Sequence, residues 1–154
     1  MTISVQDAMK RSLELAAEAA AAGDNPYGAV LVTADGQAVE ERNRVVTTSD
    51  PTAHAESMAI RVAAKTWGID LSGATMVASF EPCPMCCGAI LEAGITVLAI
   101  GQRRTVGEAP LGRYTVENLL ELVDRPHALQ VVTGEFGDEA AAFYATVGST
   151  TEEA

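Results

Sequence analysis

All three cysteines of this 154-residue chain fall within "SFEPCPMCCGAI", between Ser79 and Ile90. Cys83 and Cys86 have the i, i+3 spacing that puts both sulfurs on one side of a helix's first turn. The partial positive charge of a helix N-terminus favours thiolate there. Two thiolates make half of a tetrahedral zinc site. A third ligand stands upstream in "DPTAHAE", where His54 and Glu56 flank Ala55 at the start of another predicted helix. The ligand set His54, Cys83 and Cys86 leaves a fourth position for water, the layout of a catalytic zinc site and not of a structural one. One Zn2+ per chain is therefore expected. Glu56 is not a ligand, and a carboxylate beside the metal suits proton transfer to and from a substrate. A redox Cys-x-x-Cys would follow the first strand of a thioredoxin-like fold, whereas this one comes after a hairpin and a helix. Cys87 points elsewhere on its helix and reads as a small buried residue.

These residues need elements to hold them. Residues 4–22 read as a helix with Ser4 as N-cap, Asp7 at the capping-box position and Gly23 as the stop. Residues 28–33 read as a buried strand, "ADGQ" as a turn, and "AVEERNRV" (38–45) as the returning strand. Asp50-Pro51 breaks that element. A helix follows over 53–66, a strand over 74–80, and a helix over 84–93 with Pro84 in its first turn. A strand over 96–100, a loop "GQRRTVGEAPLGRY", a helix over 115–123, a strand over 128–134 and a helix over 138–147 complete the order. The fold class expected is α/β, a three-layer mixed five-stranded sheet flanked by helices. The helix between the last two strands acts as a crossover, which makes those strands parallel. Residues 1–147 form one domain on this reading, and 148–154 a mobile C-terminal tail.

Composition narrows the classes. The chain carries 10 Lys and Arg against 21 Asp and Glu, a net charge of −11. Nucleic-acid binding draws much of its affinity from basic side chains that displace phosphate counterions, so this balance counts against a nucleic-acid partner. No apolar stretch is long enough to span a bilayer, and "MTISVQDAMK" lacks the pattern of a secretion signal. A cytoplasmic location with no membrane partner is the expectation. Clustered thiols in a reducing compartment point to metal or catalysis and not to a disulfide framework.

The segments "NRVVTTSDPTAHAE" and "EPCPMCCGAI" resemble the cytidine/deoxycytidylate deaminase superfamily. The branch is that of guanine deaminases, fungal cytosine deaminase and tRNA adenosine deaminases. "NPYGAVLV" and "DLSG" look most like the guanine deaminases, while "VVTGEFGDEAAAFY" is more similar to the tRNA enzymes. The resemblance implies a cytidine deaminase-like fold, a homodimer, and hydrolytic release of ammonia from an aminated heterocycle. In that chemistry zinc lowers the pKa of water, and Glu56 carries protons to a ring nitrogen and to the leaving amine. The resemblance also implies that the amide of Asn43 orients the base and that the Ala55 N–H can donate to it. Tyr27, Phe80, Phe143 and Tyr144 are candidates to line an apolar slot for a planar ring. Glu81 is either a second carboxylate in the pocket or a solvated residue before proline.

The expected substrate is a free nucleobase: guanine, cytosine or a related aminated purine, pyrimidine or triazine. The alternative is adenosine in tRNA. Against it, the chain has no Lys or Arg after Arg125, where the tRNA enzymes tend to carry a basic C-terminal helix. Gln102-Arg103-Arg104 also stands where those enzymes commonly have Ala-Arg-Asp. Arg103 and Arg104 could make a phosphate contact, but two arginines in a loop are more often simply solvated. A third reading, a zinc module without catalysis, leaves Glu56 without a purpose. The sequence does not choose among the bases.

Overall fold

The computed structural model describes residues 3–147; the expected tail over 148–154 lies outside them. Helix α1 (Val5–Ala21) starts on Ser4, whose Oγ accepts the Asp7 N–H at 3.0 Å. Strands β1 (Gly28–Val32) and β2 (Ala38–Arg42) form the hairpin, with Gly28 opposite Arg42 and Val32 opposite Ala38. A short helix α2 (Val45–Thr48) leads into α3 (Ala55–Trp67). Then come β3 (Thr75–Phe80), α4 (Pro84–Glu92), β4 (Val97–Gln102), α5 (Val116–Leu122), β5 (Gln130–Val132) and α6 (Gly137–Val147). Among these residues no helix is long and apolar enough to cross a membrane.

The strands make one five-stranded mixed sheet in the order β2-β1-β3-β4-β5. β1 is antiparallel to β2 and β3, while β3–β4 and β4–β5 are parallel, joined by α4 and α5 as crossovers. The parallel last pair is the one the helix–strand order predicts. Alternation along the strands sorts the core onto two faces. Ala29, Leu31, Met76, Ala78, Leu98 and Ile100 pack under α3, α4 and α5. Val30, Val32, Val77 and Ala99 pack under α1, beside Phe136. Covered on both sides, the inner strands read as unbroken apolar runs and not as an alternation.

Three strands differ from the sequence reading by two residues or more. The returning strand stops at Arg42, and Val45–Thr48 turns into α2. The cause is distant: the buried Asp24 carboxylate accepts the N–H groups of Val46 (2.9 Å) and Thr47 (2.8 Å) and the Thr47 hydroxyl (2.8 Å). At the other end β4 continues through Gln102, which pairs with Phe80 and accepts the Glu81 N–H at 2.7 Å. The last strand is cut to Gln130–Val132 because only β4 offers it a ladder.

Close packing of α1 on β1 depends on Gly28. A Cβ added there would stand 2.1 Å from the Ser12 carbonyl oxygen. The obstacle is backbone, so the helix itself would have to move. Gly28→Ala is expected to destabilise the fold by about 1–3 kcal/mol or more. A thermal melt showing no loss of Tm would contradict this packing.

Candidate zinc centre and active site

The ligands come from two helix starts. His54 is the N-cap position of α3, yet its imidazole makes no capping hydrogen bond. The loop before it is braced: Asp50 accepts the N–H and hydroxyl of Thr52, both at 2.8 Å, and Ser57 Oγ donates to the Thr52 carbonyl at 2.6 Å. Cys83 is the N-cap of α4, with Pro84 in the first turn and Cys86 behind it. His54 Nδ1 lies 3.5 Å from Cys83 Sγ and 3.6 Å from Cys86 Sγ.

All three ligand atoms fall within 4.8 Å of one another, and all three residues are buried. Zinc–ligand bonds of about 2.0–2.3 Å in a tetrahedron set such atoms about 3.3–3.8 Å apart. The nitrogen–sulfur separations meet that test, and an N,S,S donor set suits zinc. The thiols share a charge. Cys83 is held down to about 4, chiefly because it accepts a hydrogen bond from Cys86 and another from His54. Cys86 is pushed up as the donor of that pair and by burial.

Glu56 occupies the first turn of α3 and is 2% exposed. Burial pushes its carboxyl up to about 7, with the Cys83 thiolate adding to the effect; His54 and Arg104 oppose it. The charge of a bound zinc would oppose it too. Its Oε2 has no hydrogen-bond partner among the described residues. Asn43 is fully buried, just beyond β2. Its Oδ1 accepts the Val45 N–H at 3.0 Å, and its Nδ2 has no partner among the described residues. The Arg44 N–H donates to the Ala53 carbonyl at 3.0 Å, which fastens the Asn43 segment beside the residue before His54. Unpaired buried polar atoms cost about 1–3 kcal/mol each, and they mark where water or a bound molecule would supply partners. Ala55, between His54 and Glu56, is fully buried.

The four aromatics form one cluster. Tyr27 and Phe80 centroids are 5.5 Å apart, Phe80 and Tyr144 5.2 Å, and Phe143 and Tyr144 4.9 Å. Tyr144 is also a structural pin. Its hydroxyl donates to the Pro26 carbonyl at 2.8 Å and lies 2.8 Å from Ser79 Oγ, which accepts the Gly28 N–H at 3.0 Å.

Glu81 is neither solvated nor an open acceptor. It is fully buried. Oε1 accepts Arg103 Nε at 2.9 Å and the Arg104 N–H at 3.0 Å; Oε2 accepts Arg103 Nη2 at 3.1 Å and the Val116 N–H at 3.0 Å. Arg103 reaches on to Glu117 at 2.5 and 3.0 Å. Glu81 thus ties the end of β3 to the end of β4 and to the start of α5, and the solvated role read for Arg103 gives way as well. Nothing in the local spacing around residues 81, 103 and 117 announces this clamp, nor the role of Asp24 in placing α2. Cys87 is fully buried, and burial pushes its thiol up to about 11.

The sequence profile of the cytidine and deoxycytidylate deaminase zinc-binding region matches residues 3–102. The chain belongs to this family. It is a zinc-dependent deaminase with a His54, Cys83 and Cys86 metal site. Guanine deaminase of Bacillus subtilis (strain 168) is 48% identical over 84 residues, which is 53% of this chain and 54% of that protein. This deaminase thus spans about half the length of that relative. The tRNA-specific adenosine deaminase of Haemophilus influenzae is 36% identical over 135 residues, 86% of this chain and 76% of that one. Among solved structures, guanine deaminase from Nitrosomonas europaea superposes with a TM-score of 0.77 at 28% identity, covering 96% of this chain and 85% of the other.

For the deaminase site, Cys83→Ala is expected to lower zinc from one per chain to a small fraction of that, read by elemental analysis after dialysis. Full retention of zinc would remove Cys83 from the metal site.

Proposed function

We propose that this deaminase acts on a free nucleobase, with guanine and cytosine the first to test and related aminated purines, pyrimidines and triazines behind them. The observation that supports a free base over a polynucleotide is the engagement of the arginines. Arg42 pairs with Asp24 at 3.2 Å, Arg44 with Glu41 at 3.7 Å, and Arg103 with Glu81 and Glu117. Arg11 pairs with Glu18 and Glu40. Side chains already paired with carboxylates neutralise few phosphates and so release few counterions from a nucleic acid, which weakens the salt-dependent term that drives such binding. A free base needs only a closed slot with a few polar groups.

Zinc held by His54, Cys83 and Cys86 supplies a Lewis acid that makes water nucleophilic near neutral pH. Glu56 moves the protons. Its buried carboxyl stands two residues from the ligand His54 with Oε2 unpartnered among the described residues, placed to accept a proton and return it. Through Oε2, Glu56 takes a proton from the attacking water and passes it to a ring nitrogen; after addition it takes the proton of the new hydroxyl and delivers it to the departing amine. Water adds to the amine-bearing carbon, the carbon–nitrogen bond breaks, ammonia leaves, and an oxo group remains. Asn43 Nδ2 and the Ala55 N–H donate to the base and hold it in register. Phe80 and Phe143 shape the slot, while Tyr27 and Tyr144 brace it from behind. Glu81 acts from outside the slot by holding its wall. A homodimer belongs to the same reading, and the exposed Leu122 and Val123 near the end of α5 offer it apolar surface.

The second reading is adenosine in tRNA, favoured by the identity over 86% of this chain to the Haemophilus enzyme. One experiment separates the two: ammonia release from a panel of free bases, beside inosine formation in an anticodon stem-loop, at about 0.15 M salt. Turnover of at least one free base with little inosine is expected. Efficient stem-loop editing with no free-base turnover would overturn the first reading. On whichever substrate is turned over, Glu56→Gln is expected to lose about 10²–10⁴-fold in kcat while retaining zinc. Near-normal ammonia release would take Glu56 out of the proton path.

A further inference from the structure

Helix α2 begins without a cap of its own. Its N-cap residue is Arg44, whose side chain makes no capping hydrogen bond and carries no acceptor. The first turn of a helix leaves N–H groups without intrahelical partners, and two other residues meet those of α2. Asn43 Oδ1 accepts the Val45 N–H at 3.0 Å. Asp24 Oδ1 accepts the N–H groups of Val46 and Thr47 at 2.9 and 2.8 Å, while its Oδ2 accepts the Thr47 hydroxyl at 2.8 Å and Arg42 Nη1 at 3.2 Å. Asp24 thus grips Arg42 before Asn43, and Val46 and Thr47 after it. It is buried, and its own N–H is anchored on the Ala19 carbonyl of α1 at 2.9 Å. The Asn43 main chain is fixed as well, by its N–H on the Tyr27 carbonyl at 2.9 Å and by the Arg44 N–H on the Ala53 carbonyl at 3.0 Å. What remains to be set is the direction of the Asn43 amide.

We propose that Asp24 is a positioning residue for the reaction: by occupying the Val46 and Thr47 N–H groups, it keeps the Asn43 amide turned so that Nδ2 serves the base. This rests on the role given to Asn43 above. A main-chain N–H can only donate, so the amide atom that faces Val45 is the oxygen. Nδ2 is then left buried without a partner among the described residues. The N–H groups of the second and third helical residues, here Val46 and Thr47, are the ones that a side-chain oxygen at a helix start ordinarily accepts. With Asp24 in place they are taken, and Asn43 Oδ1 stays on Val45. Without it, two donors stand open beside that oxygen, and leaving them unmet is costly. The Asn43 oxygen is drawn one position along to satisfy them, and Nδ2 swings off the base with it. Asp24 touches neither metal nor substrate on this reading; it acts through the amide.

The test is a double-mutant cycle on the full-length, zinc-loaded chain. Zinc content, Tm, and the kcat and KM of ammonia release are measured on whichever substrate is turned over. Asp24→Ala is expected to raise KM about tenfold, the scale of one hydrogen bond lost from the base. Zinc is unchanged and kcat stays within about twofold, as for a contact made in ground and transition states alike. Asn43→Ala alone raises KM at least as far. In the Asn43→Ala background, Asp24→Ala then changes KM by less than about twofold, because the group it acts through is gone. Asp24→Asn keeps an oxygen for the Val46 and Thr47 N–H groups and recovers most of the loss. If Asp24→Ala does not fold, Asp24→Ser, which admits water to the gap, takes its place. With Asn43→Ala impaired, three outcomes overturn the Asp24 assignment alone: an unchanged KM, a loss confined to kcat, or an equal loss in both backgrounds. Failure of both the Ala and Ser variants to fold makes Asp24 a residue of the fold and overturns it too. An Asn43→Ala chain with the parent's KM overturns it together with the role of Asn43.

Discussion

Helices α3 and α4 have to begin at the same place. His54 ends one loop and Cys83 ends another, and only the meeting of those two ends puts an imidazole nitrogen 3.5–3.6 Å from two sulfurs. Much of the architecture can be traced to that requirement. α4 is delivered by β3 and led away by β4, so the parallel pair sets one end. α3 lies across the antiparallel half, and its sheet-facing side is alanine: Ala55, Ala59 and Ala63 are all fully buried. Small side chains there, with Ala29 and Ala78 beneath them, let the helix lie close to the strands. The alanine-rich composition is thus a matter of approach distance as much as of helix propensity.

A carboxylate buried with its donors serves the same end twice more. Asp24 gathers two N–H groups, a hydroxyl and Arg42, and turns the chain after Asn43 into a short helix. Glu81 gathers Arg103 and two N–H groups at the far side. The costs of burying a charge are large unless hydrogen bonds satisfy it, and here four donors meet each one. The exposed pairs, such as Arg11 with Glu18, belong to a class that contributes little to stability.

This division accounts for what the sequence disclosed. His54, Cys83 and Cys86 were legible because ligand spacing is local and helix starts carry local signals. The five strands and the parallel last pair were legible because strands and helices alternate with clear breaks. The α2 helix was not, since Asp24 and Thr47 are 23 residues apart and no periodicity links them. Glu81 was ambiguous for the same reason: its partners lie 22 to 35 residues away. The Arg103-Arg104 pair looked like one solvated patch because a sequence does not show Arg103 turning in to Glu81. The aromatics could be named as a set from composition, but the pinning of Tyr144 onto Pro26 spans 118 residues.

That last contact has a temporal side. A ribosome delivers the zinc ligands early, since the third of them is residue 86. Tyr144, which closes the aromatic cluster over Phe80 and secures α6 to the turn before β1, comes 58 residues later. A nascent chain can therefore own a complete metal-binding set while Tyr27 and Phe80 still face water. Domains assembled from the N-terminus pass through such half-covered stages, where exposed apolar surface invites association. The folded deaminase holds metal ligands and aromatic cluster in one domain, but synthesis delivers them as separate events.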